Sequence, residues 1–202
     1  MINKLLQNAK KPMGSIGEII VGSMNSGHAR IRKWGMSFLV PEDDWCALDI
    51  GCGGGANIAQ LLQMSPKGRV HGIDYSEASV AVSRKKNAAE LGKRCKIVKG
   101  TVSDLPYKSR IFDVVTAFET IYFWPDIEND FAEVARVLKP GGRFMVCNEL
   151  NDPANTTWTK RIDGMKIYTN NEIEELLKKS GFLIELNQSK YKRWMCVIGV
   201  KI

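Results

Sequence analysis

The sequence lacks the cysteine and metal-ligand patterns of zinc sites and disulfide frameworks. Its five cysteines are an odd number, and no two of them stand at C-x-x-C spacing. Cys46, Cys147 and Cys196 fall in strand-like apolar runs, where cysteine acts as a small hydrophobic residue. We therefore expect no metal and no disulfides, and a reducing cytoplasm is the predicted location.

Long apolar runs are also missing. No stretch reaches the roughly 18 consecutive apolar residues of a transmembrane helix, and the segment 1–11 has no apolar core of a secretory signal. We therefore expect no membrane insertion. The 202 residues, 44% hydrophobic and 25% charged, suit one globular domain with its own core. They carry no signal for an oligomeric state.

Basic residues outnumber acidic ones, 29 to 22, which gives a net charge of +7. The densest basic segment is 84–99, which holds a single acid, Glu90, among Arg84, Lys85, Lys86, Lys93, Arg94, Lys96 and Lys99. We interpret this basic segment as the solvated face of a helix and of the strand after it. An acidic or nucleic-acid partner stays open as the alternative.

Strand-like and helix-like segments alternate after residue 45, which is typical of a parallel sheet built from βαβ units. The predicted strands are 45–50, 69–74, 95–99, 112–118, 143–148, 182–187 and 194–200, and the predicted helices are 56–64, 77–91, 127–138 and 170–180. A short turn at 189–193 makes the last strand antiparallel. The sequence predicts a single doubly wound, Rossmann-like α/β domain with a seven-stranded, mainly parallel sheet.

Two segments stand outside this alternation. Residues 1–44 have helical potential at 16–24 and 29–39, and residues 149–168 form a polar connection after the fifth strand. Both would lie near the carboxyl ends of the strands. We therefore divide the chain into an N-terminal helical cap or lid at 1–44 and a ligand-binding domain at 45–202.

The most informative segment is the glycine-rich turn at 48–56, with the sequence LDIGCGGGA. Glycines let the backbone approach a ligand at the carboxyl edge of the sheet, and Gly51, Gly53 and Ala56 also match the G-x-G-x-x-A pattern of dinucleotide sites. Asp49 distinguishes two ligands, because its carboxylate would repel a diphosphate by roughly 3 kcal/mol at ~5 Å and a dielectric near 20. An ammonium and a sulfonium would be attracted instead, so charge favours S-adenosylmethionine over NAD.

Asp74 ends the second predicted strand, 23 positions after Gly51. A carboxylate at this place can accept hydrogen bonds from both hydroxyls of a ribose, and Tyr75 can pack against an adenine. Both cofactors contain a ribose and an adenine. This pair of residues therefore predicts nucleoside binding without choosing between the two.

Five segments in order resemble the class I S-adenosylmethionine-dependent methyltransferases: 48–55, 72–76, 100–106, 112–115 and 137–144. The resemblance implies that the domain 45–202 is a methyltransferase domain, which binds S-adenosylmethionine and leaves S-adenosylhomocysteine. It implies a cofactor site formed by Asp49, Gly51, Cys52, Gly53, Asp74, Tyr75, Thr101, Val102 and Phe118. Many relatives have an acid where this chain has Thr101, whose hydroxyl can still accept one hydrogen bond.

The acceptor of the methyl group is expected beyond the fourth strand. Alignment of the nucleophile with the methyl carbon supplies most of the rate, and a base is needed only when the nucleophile loses a proton. The loop 118–124 has four aromatic residues, which suit a flat, apolar or cationic acceptor. We predict a pocket lined by Tyr122, Trp124, Asn148 and Glu149, with Glu119 and His28 as candidate catalytic residues and Tyr168 as a weaker one.

Several acceptor classes lack their sequence signature here. The Asn/Asp-Pro-Pro-Tyr/Phe run of amino-directed nucleic-acid methyltransferases and the Pro-Cys of cytosine-C5 enzymes are absent, which favours a small-molecule acceptor. An RNA-directed methyltransferase that uses the basic segment stays as an alternative, as does a non-catalytic binding module. An NAD-dependent oxidoreductase is disfavoured by Asp49 and by the absence of a Tyr-x-x-x-Lys pair.

Overall fold

The computed structural model describes residues 12–202. Two helices come first, and strands and helices alternate after them. The elements are α1 (Gly14–Gly27), α2 (Ala29–Met36), β1 (Cys46–Ile50), α3 (Ala56–Met64), β2 (Arg69–Asp74), α4 (Glu77–Lys86), β3 (Cys95–Lys99), β4 (Phe112–Phe118), a 3-10 turn (Ile121–Phe123), α5 (Ile127–Val137), β5 (Leu138–Asn148), α6 (Asn170–Lys179), β6 (Phe182–Lys190) and β7 (Trp194–Lys201).

The seven strands form one sheet in the order β3-β2-β1-β4-β5-β7-β6. All neighbouring strands are parallel except β7, which is antiparallel to both β5 and β6. The strand order reverses between β1 and β4, and a crevice opens beyond the carboxyl ends of strands at such a switch point. The predicted doubly wound, mainly parallel sheet with an antiparallel last strand is confirmed.

Alternation along the strands divides the core into two apolar clusters, one on each face of the sheet. On β1, Leu48 and Ile50 belong to the cluster that also contains residues of α5 and α6, whereas Ala47 belongs to the cluster with α2 and α3. Period-two alternation sends successive side chains to opposite faces. Asp49 therefore points to the same face as Ala47, towards α2 and α3.

Two boundaries lie five residues away from the sequence-based prediction. Helix α4 ends at Lys86, five residues before the predicted end, where the Asn87 side chain donates to the Ser83 carbonyl (3.0 Å) and to the Gly55 carbonyl (3.1 Å). Strand β5 begins at Leu138 rather than at residue 143, because Leu138 pairs with Phe112 before a bulge at 139–142. A bulge tolerates the proline at position 140, which has no N–H to donate.

The described part of the predicted lid packs against the domain. The Ser76 hydroxyl donates to the carbonyl oxygen of Pro12 (2.6 Å), and Gly35 of α2 packs against Cys147 and Phe118 so closely that a Cβ there would meet them at under 3 Å. Residues 1–11 of the predicted lid lie outside the described residues. Within 12–202, no helix has the length and apolarity needed to cross a membrane.

Candidate functional site

A cavity of about 200 Å³ lies at the carboxyl edge of the sheet, beneath α1 and α2. The domain lines it with the glycine turn, the end of β2, the loop after β3 and the loop after β4. The described part of the predicted lid adds Pro12, Val21, Met24, Asn25, His28 and Arg32. The cavity therefore joins the predicted cofactor segments to the predicted acceptor loop.

The glycine turn is tied to the end of β2. The backbone N–H groups of Gly51 and Cys52 donate to the Ile73 carbonyl at 2.8 and 3.1 Å. Gly51 has φ 68° and a Cβ there would lie 2.2 Å from Thr120 Oγ1, so only glycine fits. A Cβ on Gly53 would meet no atom closer than 4.0 Å, which leaves room for a ligand beside the turn.

Asp74 lies where the sequence predicts a ribose-binding carboxylate. It is buried and lines the cavity, and its two oxygens accept from Gly53 N–H (2.9 Å) and from Ser76 N–H (2.8 Å). Burial raises the pKa of this carboxyl, and the two backbone hydrogen bonds oppose that rise. Each carboxylate oxygen has a second lone pair, so hydroxyl donors can still be accepted.

Asp49 is fully buried beneath the glycine turn and is not part of the cavity wall. Its Oδ1 accepts from Thr116 Oγ1 (2.7 Å) and Asn57 Nδ2 (3.2 Å), whereas its Oδ2 has no hydrogen-bond partner among the described residues. Burial raises the pKa of Asp49 to about 7, against the opposing effect of the Thr116 hydrogen bond. Next to the glycine turn, one buried carboxyl oxygen thus accepts no hydrogen bond from residues 12–202.

Two lid residues that the sequence analysis missed line the same part of the cavity. Asn25 Nδ2 donates to the Gly54 carbonyl (3.2 Å), and Arg32 Nη1 donates to the Asn25 carbonyl (3.2 Å). Burial lowers the pKa of Arg32, while the charge of Asp49 raises it. Helical periodicity gave no signal for these two residues. It indicates which positions of a helix are buried, but it does not indicate which segment of the domain a polar side chain will contact.

The predicted adenine and acceptor residues divide into two groups. The cavity is lined by Cys52, Tyr75, Thr101, Val102, Phe118 and Trp124. Trp124 also packs against Phe131 and Phe144. Tyr122 is buried outside the cavity wall, where its hydroxyl accepts from Leu150 N–H (2.9 Å). Glu149, Asn148 and Tyr168 also lie outside the wall.

Glu119 follows β4 in a left-handed backbone conformation, φ 58°. Its N–H donates to the Cys147 carbonyl (3.0 Å) and to Asn148 Oδ1 (3.1 Å), and its carboxyl accepts from the N–H of Glu149. Burial raises the pKa of Glu119 to about 8, and the charge of Glu149 adds to the rise. Glu119 lines the cavity and is also hydrogen-bonded to Asn148 and Glu149 at the end of β5 and the start of the loop after it.

His28 lies at the junction of α1 and α2 and lines the cavity. Burial lowers its pKa, the charge of Glu149 raises it, and the charge of Arg32 lowers it. Its imidazole is therefore neutral at pH 7. Within residues 12–202, no three His, Cys, Asp or Glu side chains are grouped so that they could hold a metal ion.

The basic segment does not reach the cavity. Arg84 donates from Nε and Nη2 to the Ile97 carbonyl on β3 (3.1 and 2.7 Å), and Arg94 pairs with Glu90 and reaches the Ser65 carbonyl. None of residues 84–99 lines the cavity. Part of the positive charge therefore stabilises the edge of the sheet.

Comparison with known proteins points to one family. Residues 48–146 match the family model described as a methyltransferase domain. The demethylmenaquinone methyltransferase of Staphylococcus aureus (strain JH9) is 33% identical over 153 residues, which make up 75% of this chain and 61% of that protein. The chain thus spans about three fifths of the length of the curated relatives it matches.

Solved structures share the fold at lower identity. A methyltransferase in complex with the Haloferax volcanii Trm112 methyltransferase activator has a TM-score of 0.79 at 20% identity, over 89% of this chain and 92% of that one. The geranyl diphosphate C-methyltransferase of Streptomyces coelicolor A3(2), solved with Mg²⁺, geranyl diphosphate and S-adenosyl-L-homocysteine, has a TM-score of 0.75 at 16% identity, over 95% and 88%.

The family match covers the glycine turn, the end of β2 and the loops after β3 and β4, which form the domain side of the cavity. It also covers the parallel strands whose order creates the switch point. Residues 48–146 therefore form a methyltransferase domain of the class I S-adenosylmethionine-dependent family.

Proposed function

We propose that this chain transfers the methyl group of S-adenosylmethionine to a small, apolar or aromatic acceptor. One observation carries the proposal: a single cavity joins the polar segments around Gly53 and Asp74 to the rings of Phe118, Phe123 and Trp124. S-adenosylmethionine supplies an electrophilic methyl group on a sulfonium. The chain's own task is to hold both reactants in line and to exclude water, and alignment alone can account for most of the acceleration.

The residues of the cavity fit each part of S-adenosylmethionine. Asp74 is placed to accept from the ribose hydroxyls, and Thr101 and Val102 to contact the adenine. The Arg32 guanidinium in the cavity wall suits the carboxylate of the methionine part. Asp49 lies beneath the glycine turn, behind that wall, and its negative charge would attract the ammonium of the same part. A dinucleotide fits poorly, because its diphosphate would lie next to the buried carboxyl group of Asp49 at the turn.

The walls of the acceptor part favour a flat, apolar ring. Phe118, Phe123 and Trp124 stand on the domain side and Val21 and Met24 on the lid side. The relatives in Staphylococcus aureus are demethylmenaquinone methyltransferases, so a naphthoquinone in its reduced form is the first acceptor to test. An RNA acceptor is not supported, because the basic segment lies away from the cavity.

Calorimetry with S-adenosylhomocysteine and, separately, with NAD tests the cofactor. We expect binding of the first alone. Asp74→Ala should weaken it by about 1–3 kcal/mol, since two hydrogen bonds to a buried carboxylate are lost. Asp74→Asn, which keeps one acceptor oxygen, should be intermediate, and Asp44→Ala in an exposed loop is the matched control. Equal affinities of the folded Asp74→Ala variant and the wild-type protein would show that Asp74 does not bind the ligand.

Transfer of a tritiated methyl group tests the acceptor. We expect incorporation into reduced demethylmenaquinone or a shorter naphthohydroquinone, and none into total RNA. Incorporation into RNA that falls steeply as the salt concentration rises would contradict a small acceptor and indicate a polyanion instead.

A further inference from the structure

The hairpin between β6 and β7 brings a positively charged surface to the edge of the sheet where the cavity lies. Strand β7 begins where β5 ends, because Met195 pairs with Asn148, so the tip of the hairpin lies at the carboxyl edge. Arg30, near the start of α2, reaches the same tip. We call this region the hairpin surface, and it consists of Arg30, Lys190, Tyr191, Lys192 and Arg193.

The cations of the hairpin surface gather around one exposed aromatic ring. The Cζ atom of Arg30 lies 6.0 Å from the centre of the Tyr191 ring, and the Nζ atom of Lys190 lies 5.1 Å from it. Within residues 12–202, none of the four cations forms an ion pair with a carboxylate. Cations held this close together repel one another, so an anionic partner would stabilise the surface.

The turn at the tip has a conformation that its residues do not favour. The carbonyl of Lys190 accepts from the N–H of Arg193 (3.3 Å), and the two central residues, Tyr191 and Lys192, have φ values of 56° and 55°. Hairpin turns with two left-handed central residues prefer Asn and Gly, because larger side chains are strained there. Such strain is found mainly at functional sites, so a tyrosine and a lysine at these positions indicate a role other than folding.

The exposed side of the lid is apolar rather than basic. Helix α1 covers the cavity, but Ile19 in this helix and Met13 just before it are 74% and 66% exposed and lie outside the cavity wall. Exposed apolar side chains beside a cationic surface suit a bilayer, where cations meet lipid phosphates and apolar groups enter the layer beneath them. An RNA would use the cations and the Tyr191 ring, but it would gain nothing from Ile19 and Met13.

We infer that the hairpin surface and the exposed side of α1 dock this protein on a bilayer that contains anionic phospholipids. The inference goes beyond the proposed function and rests on it in one respect, which is that an apolar acceptor dissolved in the bilayer would enter the cavity beneath the lid. Docking of this kind needs no membrane-spanning helix. It is reversible, because a few cations and apolar side chains hold it.

Co-sedimentation with lipid vesicles tests the docking without acceptor or cofactor. The wild-type protein should bind vesicles of phosphatidylcholine with about one third phosphatidylglycerol, and should bind pure phosphatidylcholine far more weakly. The hairpin variant Lys190→Gln, Lys192→Gln and Arg193→Gln should bind the anionic vesicles about 100-fold more weakly at 0.1 M salt, about fivefold for each cation removed.

The matched control removes three exposed cations from the basic segment, which lies at the opposite end of the sheet. This control variant, Lys85→Gln, Lys86→Gln and Lys96→Gln, should bind anionic vesicles as the wild type does. Weaker binding of the control and hairpin variants to the same extent would overturn the assignment to the hairpin, because net charge alone would then account for it.

A change of the turn residues separates docking from folding. Tyr191→Asn with Lys192→Gly gives the turn the residues that its conformation prefers, so the urea midpoint of unfolding should rise. The same variant should bind anionic vesicles at least about fivefold more weakly, because a cation and an exposed ring are lost. Wild-type vesicle binding in this more stable protein would contradict a role of the turn residues in docking.

Two further results would overturn the proposal. The first is equal binding of the hairpin variant and the wild type to anionic vesicles. The second is a wild-type protein that does not bind these vesicles but binds total RNA, which would indicate a polyanion instead. Calorimetry without lipid separates both results from the proposed function. The hairpin variant should bind S-adenosylhomocysteine like the wild type, and only a wild-type protein that fails to bind it contradicts the cofactor assignment.

Discussion

Asp49 is a buried carboxyl group whose Oδ1 accepts hydrogen bonds, whereas its Oδ2 has no hydrogen-bond partner among residues 12–202. A buried charge without a partner is unfavourable, so the proton is retained and the pKa rises to about 7. A ligand ammonium in the cavity, on the other side of the glycine turn, would favour the ionised form through its positive charge. Binding of the cofactor and release of a proton should therefore be linked.

S-adenosylhomocysteine binding at pH 7 should release about half a proton from the wild-type protein, because a group with a pKa of about 7 is half protonated there. The measurement is the binding enthalpy in two buffers of different ionisation enthalpy, such as phosphate and Tris. Asp49→Asn should bind with heats that no longer depend on the buffer. The same buffer dependence in both proteins would contradict a direct role of Asp49.

The same carboxyl predicts how stability varies with pH in the absence of ligand. The folded protein keeps a proton that the unfolded chain, with an aspartate pKa near ~3.9, has already released. This group therefore lowers the free energy of unfolding as the pH rises from about 4 to about 7, and its effect is constant above that. In urea unfolding, the free energy of unfolding of Asp49→Asn should rise relative to that of the wild type between pH 5 and pH 8. A constant difference would mean that Asp49 is ionised throughout.

At the scale of elements, α1 is held to the glycine turn by one side chain. Asn25 donates to the Gly54 carbonyl at 3.2 Å, and a Cβ on Gly54 would lie only 2.0 Å from Asn25 Nδ2. The close approach gives the lid a defined place over the cavity. It also makes the lid sensitive to a single contact.

Asn25→Ala should loosen α1 by about 1 kcal/mol, the usual contribution of one hydrogen bond. Amide hydrogen exchange should become faster in residues 14–27, and S-adenosylhomocysteine should bind more weakly. Ser23→Ala removes an exposed side chain from the same helix and serves as the control. Unchanged exchange in Asn25→Ala would show that α1 is held by its apolar contacts instead.

Helix α6 begins with a complete capping box. Thr169 Oγ1 accepts from Glu172 N–H (3.2 Å), and the Glu172 carboxylate accepts from Thr169 N–H (2.7 Å). Thr169→Ala should lower the free energy of unfolding by about 1 kcal/mol, measured by urea unfolding. Thr156→Ala in an exposed loop should leave it within about 0.5 kcal/mol of wild type.

Local signals explain which elements and site residues were predictable from the sequence. The helix starts at 77 and 170 and the glycine turn each depend on a few neighbouring residues, such as the Ser76 cap and the Thr169 capping box, and the structure has both starts where the sequence predicts them. Contacts between distant segments carried no such signal. The early end of α4 depends on the contact between Asn87 and Gly55, and the bulge in β5 on pairing with Phe112.

The same distinction separates the cavity residues. Asp74 is the last residue of β2 and Thr101 follows β3, and parallel strands bring their carboxyl ends to one edge of the sheet. Arg32 and Asn25 reach that edge only because the lid helices dock over it. Tyr122 was expected in the acceptor pocket, but the 3-10 turn directs its hydroxyl to the backbone of Leu150 instead.

At the scale of the whole molecule, the net charge of +7 is not concentrated at the cavity. The basic segment contains the end of α4 and all of β3, the edge strand farthest from β6. Its cations at 84–96 stand around the end of α4 and the start of β3, the end of the sheet opposite to the cavity. A strand of five residues such as β1 spans ~17 Å, which exceeds the screening length of ~10 Å at 0.1 M salt.

Charge reversal at exposed positions of the basic segment should therefore leave the site unaffected. In the triple variant Lys85→Glu, Lys86→Glu and Lys96→Glu, we expect S-adenosylhomocysteine affinity and the rate of methyl transfer to stay within about twofold of wild type at 0.1 M salt. Arg32→Met removes only one charge, but that charge lies in the cavity wall. This variant should weaken S-adenosylhomocysteine binding by about 1.5–3 kcal/mol, because a charge-assisted hydrogen bond is lost. If the triple variant instead lost its rate while keeping its affinity, the acceptor would have to extend to the β3 edge, and only a polyanion such as RNA is both long enough and attracted there.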